Sequence, residues 1–216
     1  MASIGILGGT FNPPHIGHLV CAQEARAQLE LDRVLLMPVH TPPHKAAGDD
    51  PGPEARLALC QAAIGADEDL EVSTLEIDRG GPSYTVDTLR ALHGSREGDD
   101  LTFIVGGDMA SSLPSWRQPE AVLELARVAV AEREEHRRQE IAERLSALRG
   151  ADERVVFFTM PRLDISSSDI RRRIAEARPV RWLIPGDVCD EIERRGLYGV
   201  ATGKAGGTAE RREVVQ

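Results

Sequence analysis

The sequence predicts an α/β fold, a doubly wound and mostly parallel sheet with helices on both faces. Three observations carry that reading. Short apolar runs alternate with stretches of helical periodicity along most of the chain, the rhythm of a parallel sheet with crossover helices. A Gly-Gly turn, Gly8-Gly9, separates the first apolar run from a helix-like stretch, the layout of a phosphate site at a helix N-terminus. The chemically distinctive segments follow the predicted strands, and ligands of such sheets bind outside the carboxyl ends of strands.

Each element has its own justification. Residues 4–7, Ile-Gly-Ile-Leu, read as a buried strand, followed by a helix over about 17–31. Residues 33–37 (RVLLM) are the second strand. Residues 38–53 form a loop rich in Pro, His and Gly, too long for a plain connection and so a candidate substrate loop. Apolar residues at helical spacing predict a helix over 54–64, and a third strand follows at 70–75. Ser83 is a candidate N-cap for a helix over 84–93. The strand LTFIV, 101–105, stops at Gly106-Gly107. A helix over 119–125, a strand over 127–131, a charged, solvent-exposed helix over 134–148 and a last strand over 154–158 come next. Helices over 168–175 and 187–195 close the fold. With no internal repeat, residues 1–200 read as one Rossmann-like domain and 201–216, small and polar, as a disordered tail.

Bulk properties narrow the function. A chain of 216 residues suits one domain and buries roughly 70% of its unfolded surface. A net charge of −9 argues against general binding to nucleic acid. No apolar run approaches the ~20 residues of a membrane span, and the N-terminus lacks the zones of a signal peptide. Cys21, Cys60 and Cys189 are far apart and form no CxxC, so neither a zinc site nor a disulfide framework is expected. The plain expectation is a cytoplasmic protein with no membrane or nucleic-acid partner; homo-oligomerisation is left open. Basic charge is dense at Arg171, Arg172, Arg173, Arg178 and Arg181, enough to bind a polyphosphate on an acidic protein.

Four segments are predicted to meet at one rim of the sheet. Residues 8–19 read GGTFNPPHIGHL. His15 and His18, spaced H-x-G-H, fall near the first turn of one helix. Chance gives that string in about one or two of every hundred such chains, so it is more specific than either histidine alone. A shared metal is the competing reading, but HExxH is absent and no third ligand stands out. GxGxxG and GK[ST] are also absent, which removes the dinucleotide fingerprint and the P-loop. Pro42-Pro43-His44-Lys45 follows the second strand, and Gly106-Gly107-Asp108 follows LTFIV. Asp108 is either a cap or an acceptor for a ribose diol. Ser166-Ser167-Ser168 opens the 168–175 helix with Arg171 one turn on. Hydroxyls and an arginine at a helix start suit a polyphosphate, although one or two of the serines can be plain caps. Trp116, in a loop rich in Pro and Ser, is either core or a stacking platform for a flat ring.

With these residues in view, the chain resembles the H-x-G-H nucleotidyltransferases. GGTFNPPHIGHL is similar to their first signature, and residues 165–171, ISSSDIR, to their second, ISSTxIR. Pro43-His44-Lys45, the SYTVDTL segment at 83–89, Gly106-Gly107-Asp108-Met109 and Ser115-Trp116 resemble, within that superfamily, the bacterial nicotinate mononucleotide adenylyltransferases. The pattern holds from about Ile4 to Tyr198.

The resemblance implies adenylyl transfer from ATP to nicotinate mononucleotide, with Mg²⁺, giving deamido-NAD and pyrophosphate. It implies that His15 and His18 donate to ATP phosphates, His18 where charge builds on the α-phosphate. Thr10 and the amides around Gly9, with Gly8 and Phe11, would hold phosphate. Ser166, Ser167, Ser168 and Arg171 would take the β- and γ-phosphates. Asp108 and Gly106 would hold the ribose, and His44 and Lys45 would stand near the reacting phosphates. In the acceptor site the nicotinate ring would stack on Trp116. Its carboxylate would meet Thr85 and the amide of Val86, beside Tyr84, and Arg133 would bind the mononucleotide phosphate. Mg²⁺ would bridge phosphates through water more than through protein carboxylates. Asn12 stands where the family more usually has Asp, and Arg133 is followed by Glu-Glu-His where Pro-Gly is usual. A sister enzyme such as phosphopantetheine adenylyltransferase would share His15, His18 and Arg171 but not the middle segments. A nucleotide sensor that binds without turnover is the rival of another class, weakened by the intact His15, His18 and ISSSDIR.

Overall fold

Strand periodicity decides the architecture. In β1 (Ser3–Gly9), Ile4 and Ile6 join one apolar cluster and Leu7 another. In β2 (Arg33–Pro38), Leu35 and Met37 join the first, Val34 and Leu36 the second. A strand apolar on both faces must be covered on both, which is the condition of a buried parallel sheet. The computed structural model, which describes residues 1–42, 49–96, 98–132 and 134–199, shows that arrangement. Six strands, all parallel, run in the order β3-β2-β1-β4-β5-β6. The remaining four are β3 (Leu70–Val72), β4 (Asp100–Gly106), β5 (Arg127–Ala131) and β6 (Val155–Phe158). The chain winds outward from β1 through β2 to β3, then returns to β1's other side at β4. The strand order therefore reverses between β1 and β4, where such sheets open a crevice.

The helices in chain order are α1 (Ile16–Leu29), α2 (Pro53–Ile64), α3 (Leu75–Arg79), α4 (Thr85–Ser95), α5 (Gly107–Ser111), α6 (Pro119–Leu125), α7 (Glu135–Leu145), α8 (Ala151–Arg154), α9 (Ser167–Ala175) and α10 (Gly186–Arg195). Ala22 and Ala25 of α1 and Cys60 of α2 cover one face. Val86 and Leu89 of α4, Val122 of α6 and Ile141 of α7 cover the other. A third cluster fastens α9 and α10 onto α2 through Leu59, Ile170, Ile174, Ile184, Val188 and Ile192. Full burial of one such side chain is worth about 1.5–3 kcal/mol, so packing, rather than the preceding loop, holds the start of α9 at the rim.

The structure corrects several expectations. The third strand ends at Val72, pairing with β2 only from Val34 to Leu36 although β2 runs on to Pro38. Ser73 and Thr74 then turn the chain, the Ser73 hydroxyl accepting from the Leu75 amide, and Leu75 opens α3. Ser83 does not cap α4. Its hydroxyl accepts from the His40 amide, and Tyr84 takes the cap position without a side-chain hydrogen bond. The helix read as solvent-exposed is shorter, and it buries Ile141 and Leu145. The short helices α5 and α8 carry too few residues for a periodic signal. Residues 200–216, the expected tail, lie outside the described residues, as do His44, Lys45 and Arg133.

Candidate active site

The register Leu7↔Ile104 brings the two Gly-Gly turns off the sheet side by side. At the first of them the glycines are closely packed. A methyl group at Gly9 would come within 3.1 Å of the Phe11 ring, and one at Gly8 within 3.2 Å of Phe103. Phe11 itself has φ 49° and is 2% exposed. Its side chain belongs to the core, which leaves only its backbone for a phosphate.

The turn delivers both histidines to the start of α1. His15 is the N-cap and His18 the third helical residue. The rings stack at 3.7 Å between centroids, and Phe11 packs edge-on against His18 at 5.0 Å. A methyl group at Gly17 would come within 3.1 Å of the His15 ring, which explains the glycine inside H-x-G-H. His18 Nδ1 accepts from the His15 amide at 3.1 Å. That bond assigns the His18 proton to Nε2, the nitrogen left free to donate. The amide of Ile16 is already taken by the Leu183 carbonyl at 3.0 Å.

Burial pushes His15 down to about 4. Burial, then repulsion from His15, pushes His18 down to about 3. Both rings are neutral at pH 7, so they act as hydrogen-bond donors rather than fixed cations. An acid-stability prediction follows. Below the ordinary histidine value of 6.5 the unfolded chain binds protons that the folded stack refuses until about pH 4 at His15. Stability contributed by this difference is intact above pH 6.5 and is lost as pH falls toward 4. Melting curves of the wild type and of His15→Asn should differ in slope across that window, the variant being less acid-sensitive. Parallel slopes would contradict the neutral stack.

The start of α9 faces this turn. Ser166 caps α9, its hydroxyl accepting from the Asp169 amide at 3.1 Å. Ser167 donates to the Pro13 carbonyl at 2.8 Å, and Arg171 Nη1 donates to the Asn12 carbonyl at 2.9 Å. Ser168 and Arg171 line a cavity of about 610 Å³ with Asp49, Asp50 and Tyr198. Arg173 and Arg172 both bond the Asp169 carboxylate and hold it below the usual range, Arg173 first. Of this arginine run, Arg171 is the one that reaches the turn. Its Nε and the Nδ1 of His15 are buried polar atoms without a partner. Such atoms are uncommon in folded proteins, and these two lie on either side of the same turn.

Asn12 knots these pieces together, a role the sequence reading missed. It is 7% exposed. Its Oδ1 accepts from the Tyr198 hydroxyl at 2.7 Å and its Nδ2 donates to the Asp49 carbonyl at 3.3 Å. Burial raises the Tyr198 hydroxyl above its ordinary value, so it stays a donor. An aspartate at position 12 could take the first bond but not make the second.

Asp108 lies in the first turn of α5, largely exposed, and accepts from Arg137 at 2.8 Å. Arg137 also lines a cavity of about 320 Å³ off the ends of β5 and β6, with Glu132 and residues 160–164. Among the described residues, no group of three or more His, Cys, Asp or Glu is placed to hold a metal ion. No described helix is long and apolar enough to cross a membrane.

The chain matches the family described as cytidylyltransferase-like over residues 6–173. A Roseiflexus sp. protein described as "Probable nicotinate-nucleotide adenylyltransferase" is 45% identical over 199 residues, covering 91% of this chain and 98% of that protein. One from Trichlorobacter lovleyi with the same description is 39% identical, covering 90% and 98%. The chain belongs to the nicotinate-nucleotide adenylyltransferase family. The fold agrees with two structures of the Plasmodium falciparum nicotinic acid mononucleotide adenylyltransferase, one complexed with NaAD and one with APC. Each superposes with a TM-score of 0.74 over 94% of this chain and 100% of that one, at 17% and 16% identity.

A nicotinate-nucleotide adenylyltransferase also needs an acceptor site, and the remaining candidates gather on the opposite face of the sheet. Trp116 is half-buried, edge-on to Phe103 at 6.0 Å, with its indole N–H donating to Ser112 Oγ at 2.9 Å. Phe103 is the residue that crowds Gly8, so this group adjoins the first turn. Tyr84 carries the Arg117 guanidinium over its ring at 4.8 Å. Thr85 and Val86 are the first residues of α4, and their amides precede the helix's own hydrogen bonds. The histidines and α9 thus lie toward one face of the rim and Trp116 and α4 toward the other, meeting at Gly8-Gly9. Arg133, His44 and Lys45 lie outside the described residues.

Proposed function

We propose that this protein transfers the adenylyl group of ATP to nicotinate mononucleotide, in the cytoplasm, as a step of NAD biosynthesis. A phosphate oxygen of the mononucleotide attacks the α-phosphorus of ATP in line. That P–O bond forms as the bond to the β-phosphate breaks, and pyrophosphate leaves. The nucleophile is already an anion, so no activated serine or cysteine is required. The protein supplies position and charge stabilisation. The observation that carries this reading is the neutral His18, its Nδ1 tied to the backbone and its Nε2–H free, beside a turn that Arg171 also grips.

On this reading His18 and His15 donate to the α-phosphate region, with Thr10 and the amide of Gly9. Ser167, Ser168 and Arg171 hold the β- and γ-phosphates, Ser166 shapes the start of α9, and Asp108 with Gly106 holds the ribose. Mg²⁺ bound with the triphosphate would neutralise phosphate charge; no residue is assigned to hold it. The nicotinate ring stacks on Trp116 and its carboxylate sits at the uncapped start of α4, near Thr85 and Val86. A helix N-terminus favours an anion over a neutral amide.

Pyrophosphate release tests the assignment with three acceptors. Nicotinate mononucleotide should be turned over, with kcat/KM about tenfold or more above its amide, the size of a helix-terminus charge effect at its favourable end. Release with phosphopantetheine alone would move the protein to the sister enzyme, and release with none would leave only a binding function.

A further inference from the structure

Arg56 is the largest fully buried side chain among the described residues, at 0% exposure, and the site described so far does not use it. It sits in the first turn of α2 among Ala55, Leu59 and Cys60. Its guanidinium joins two separate pieces of backbone and one carboxylate. Nη1 donates to the carbonyl of Thr10, in the phosphate turn, at 3.1 Å and to that of Val39 at 2.6 Å. Nη2 donates to the carbonyl of His40 at 2.8 Å. Nε donates to Asp50 Oδ1 at 2.9 Å, the same oxygen that accepts from the Gly52 amide at the start of α2.

We propose that Arg56 is a positioning residue for adenylyl transfer: it touches no substrate, and it sets where the phosphate turn after β1 stands relative to both stems of the loop after β2. The inference rests on the function proposed above. Val39 and His40 are the outgoing stem of that loop, and Asp50 belongs to the returning one. The ladder's last tie between these strand ends is the Val39 amide donating to the Gly9 carbonyl at 3.0 Å; Thr10 and His40, one residue further on each side, are joined through Arg56. A planar fork with five donors can take several carbonyls at once; an ammonium with three cannot do so in the same geometry. A buried ion pair is weak evidence for stability and is best attested as a device for fixing register. Here one carboxylate neutralises the charge, and three carbonyls from two neighbouring strand ends are locked to one rigid helix.

Misplacing such a turn by about 1 Å costs most where the phosphates react, because the near-attack geometry is lost even when binding survives. The test compares Arg56→Lys and Asp50→Asn with the wild type, using pyrophosphate release at a temperature well below each melting point. Turnover is expressed per mole of folded protein. Arg56→Lys should lower kcat about tenfold to a hundredfold with both KM values little changed. Asp50→Asn keeps an acceptor for Arg56 but removes the countercharge, and should lower kcat in the same direction by less. A lower melting temperature with unchanged kcat per folded molecule would make Arg56 merely structural and overturn the inference. If Arg56→Lys does not fold, Asp50→Asn decides alone, an unchanged kcat overturning it. A wild type that releases no pyrophosphate with nicotinate mononucleotide would sink the proposed function and this inference with it. An active wild type with equally active variants would sink only the inference.

Discussion

His18→Ala should lower kcat by about 10²–10³-fold, the usual effect of deleting one preorganised donor to a developing oxyanion. The ring is held from three sides. It stacks on His15, meets the edge of Phe11, and its Nδ1 accepts from the His15 amide. Such a donor needs no reorganisation when charge builds on the phosphate. Its neutrality does not weaken the case, because a free Nε2–H is a local dipole able to donate to a developing oxyanion. Truncation also removes one hydrogen bond to the start of α1, worth about 1 kcal/mol, so the melting temperature should fall by only a few degrees. Steady-state turnover and a melting curve on the same preparation separate the two effects. A kcat within threefold of wild type would remove His18 from the reaction.

Arg171→Met should raise the KM for ATP and lower kcat/KM for ATP by about 10²-fold, the order expected when one partner of a charge-assisted pair is lost. Arg171 also holds the Asn12 carbonyl, so a structural contribution has to be separated. Competitive inhibition by pyrophosphate does this. If Arg171 grips the β- and γ-phosphates, pyrophosphate should bind more weakly by a similar factor while affinity for nicotinate mononucleotide changes little. A general distortion of the turn would weaken both ligands together. Arg171→Lys should recover only part of the loss, since an ammonium cannot reproduce the fork. Unchanged inhibition by pyrophosphate would contradict the role.

The sequence made the sheet legible because both faces of its strands are buried, which turns them into continuous apolar runs. The helices at 119–125 and the strand at 127–131 keep their expected limits for that reason. Leu75 was misplaced because apolar residues at the end of an edge strand look alike whether the ladder continues or not. The Ser83 cap failed for a different reason: a serine before a helix is a generic signal, and here a residue 43 positions earlier claims its hydroxyl. The first turn and the start of α9 were legible from local motifs. What joins them was not. Arg56 carried one clue, an arginine on the apolar face of a helix beside Leu59, Cys60 and Ala63, but its acceptors are backbone carbonyls, which leave no mark on sequence. The pairing of Asp108 with Arg137, 29 residues apart, is of the same kind.

The bond from Tyr198 to Asn12 spans 186 residues of chain. It sets an order of events in the making of this protein. As the polypeptide leaves the ribosome, the glycine turn and both histidines emerge well ahead of β4, and β1 cannot find β4 until residues 100–106 have followed. The tyrosine that fixes the side chain of Asn12 comes out almost two hundred residues after the methionine. A nascent chain therefore carries its H-x-G-H signature long before it owns the hydrogen bond that steadies it, and the side chain of Asn12 is fixed only once synthesis has passed Tyr198.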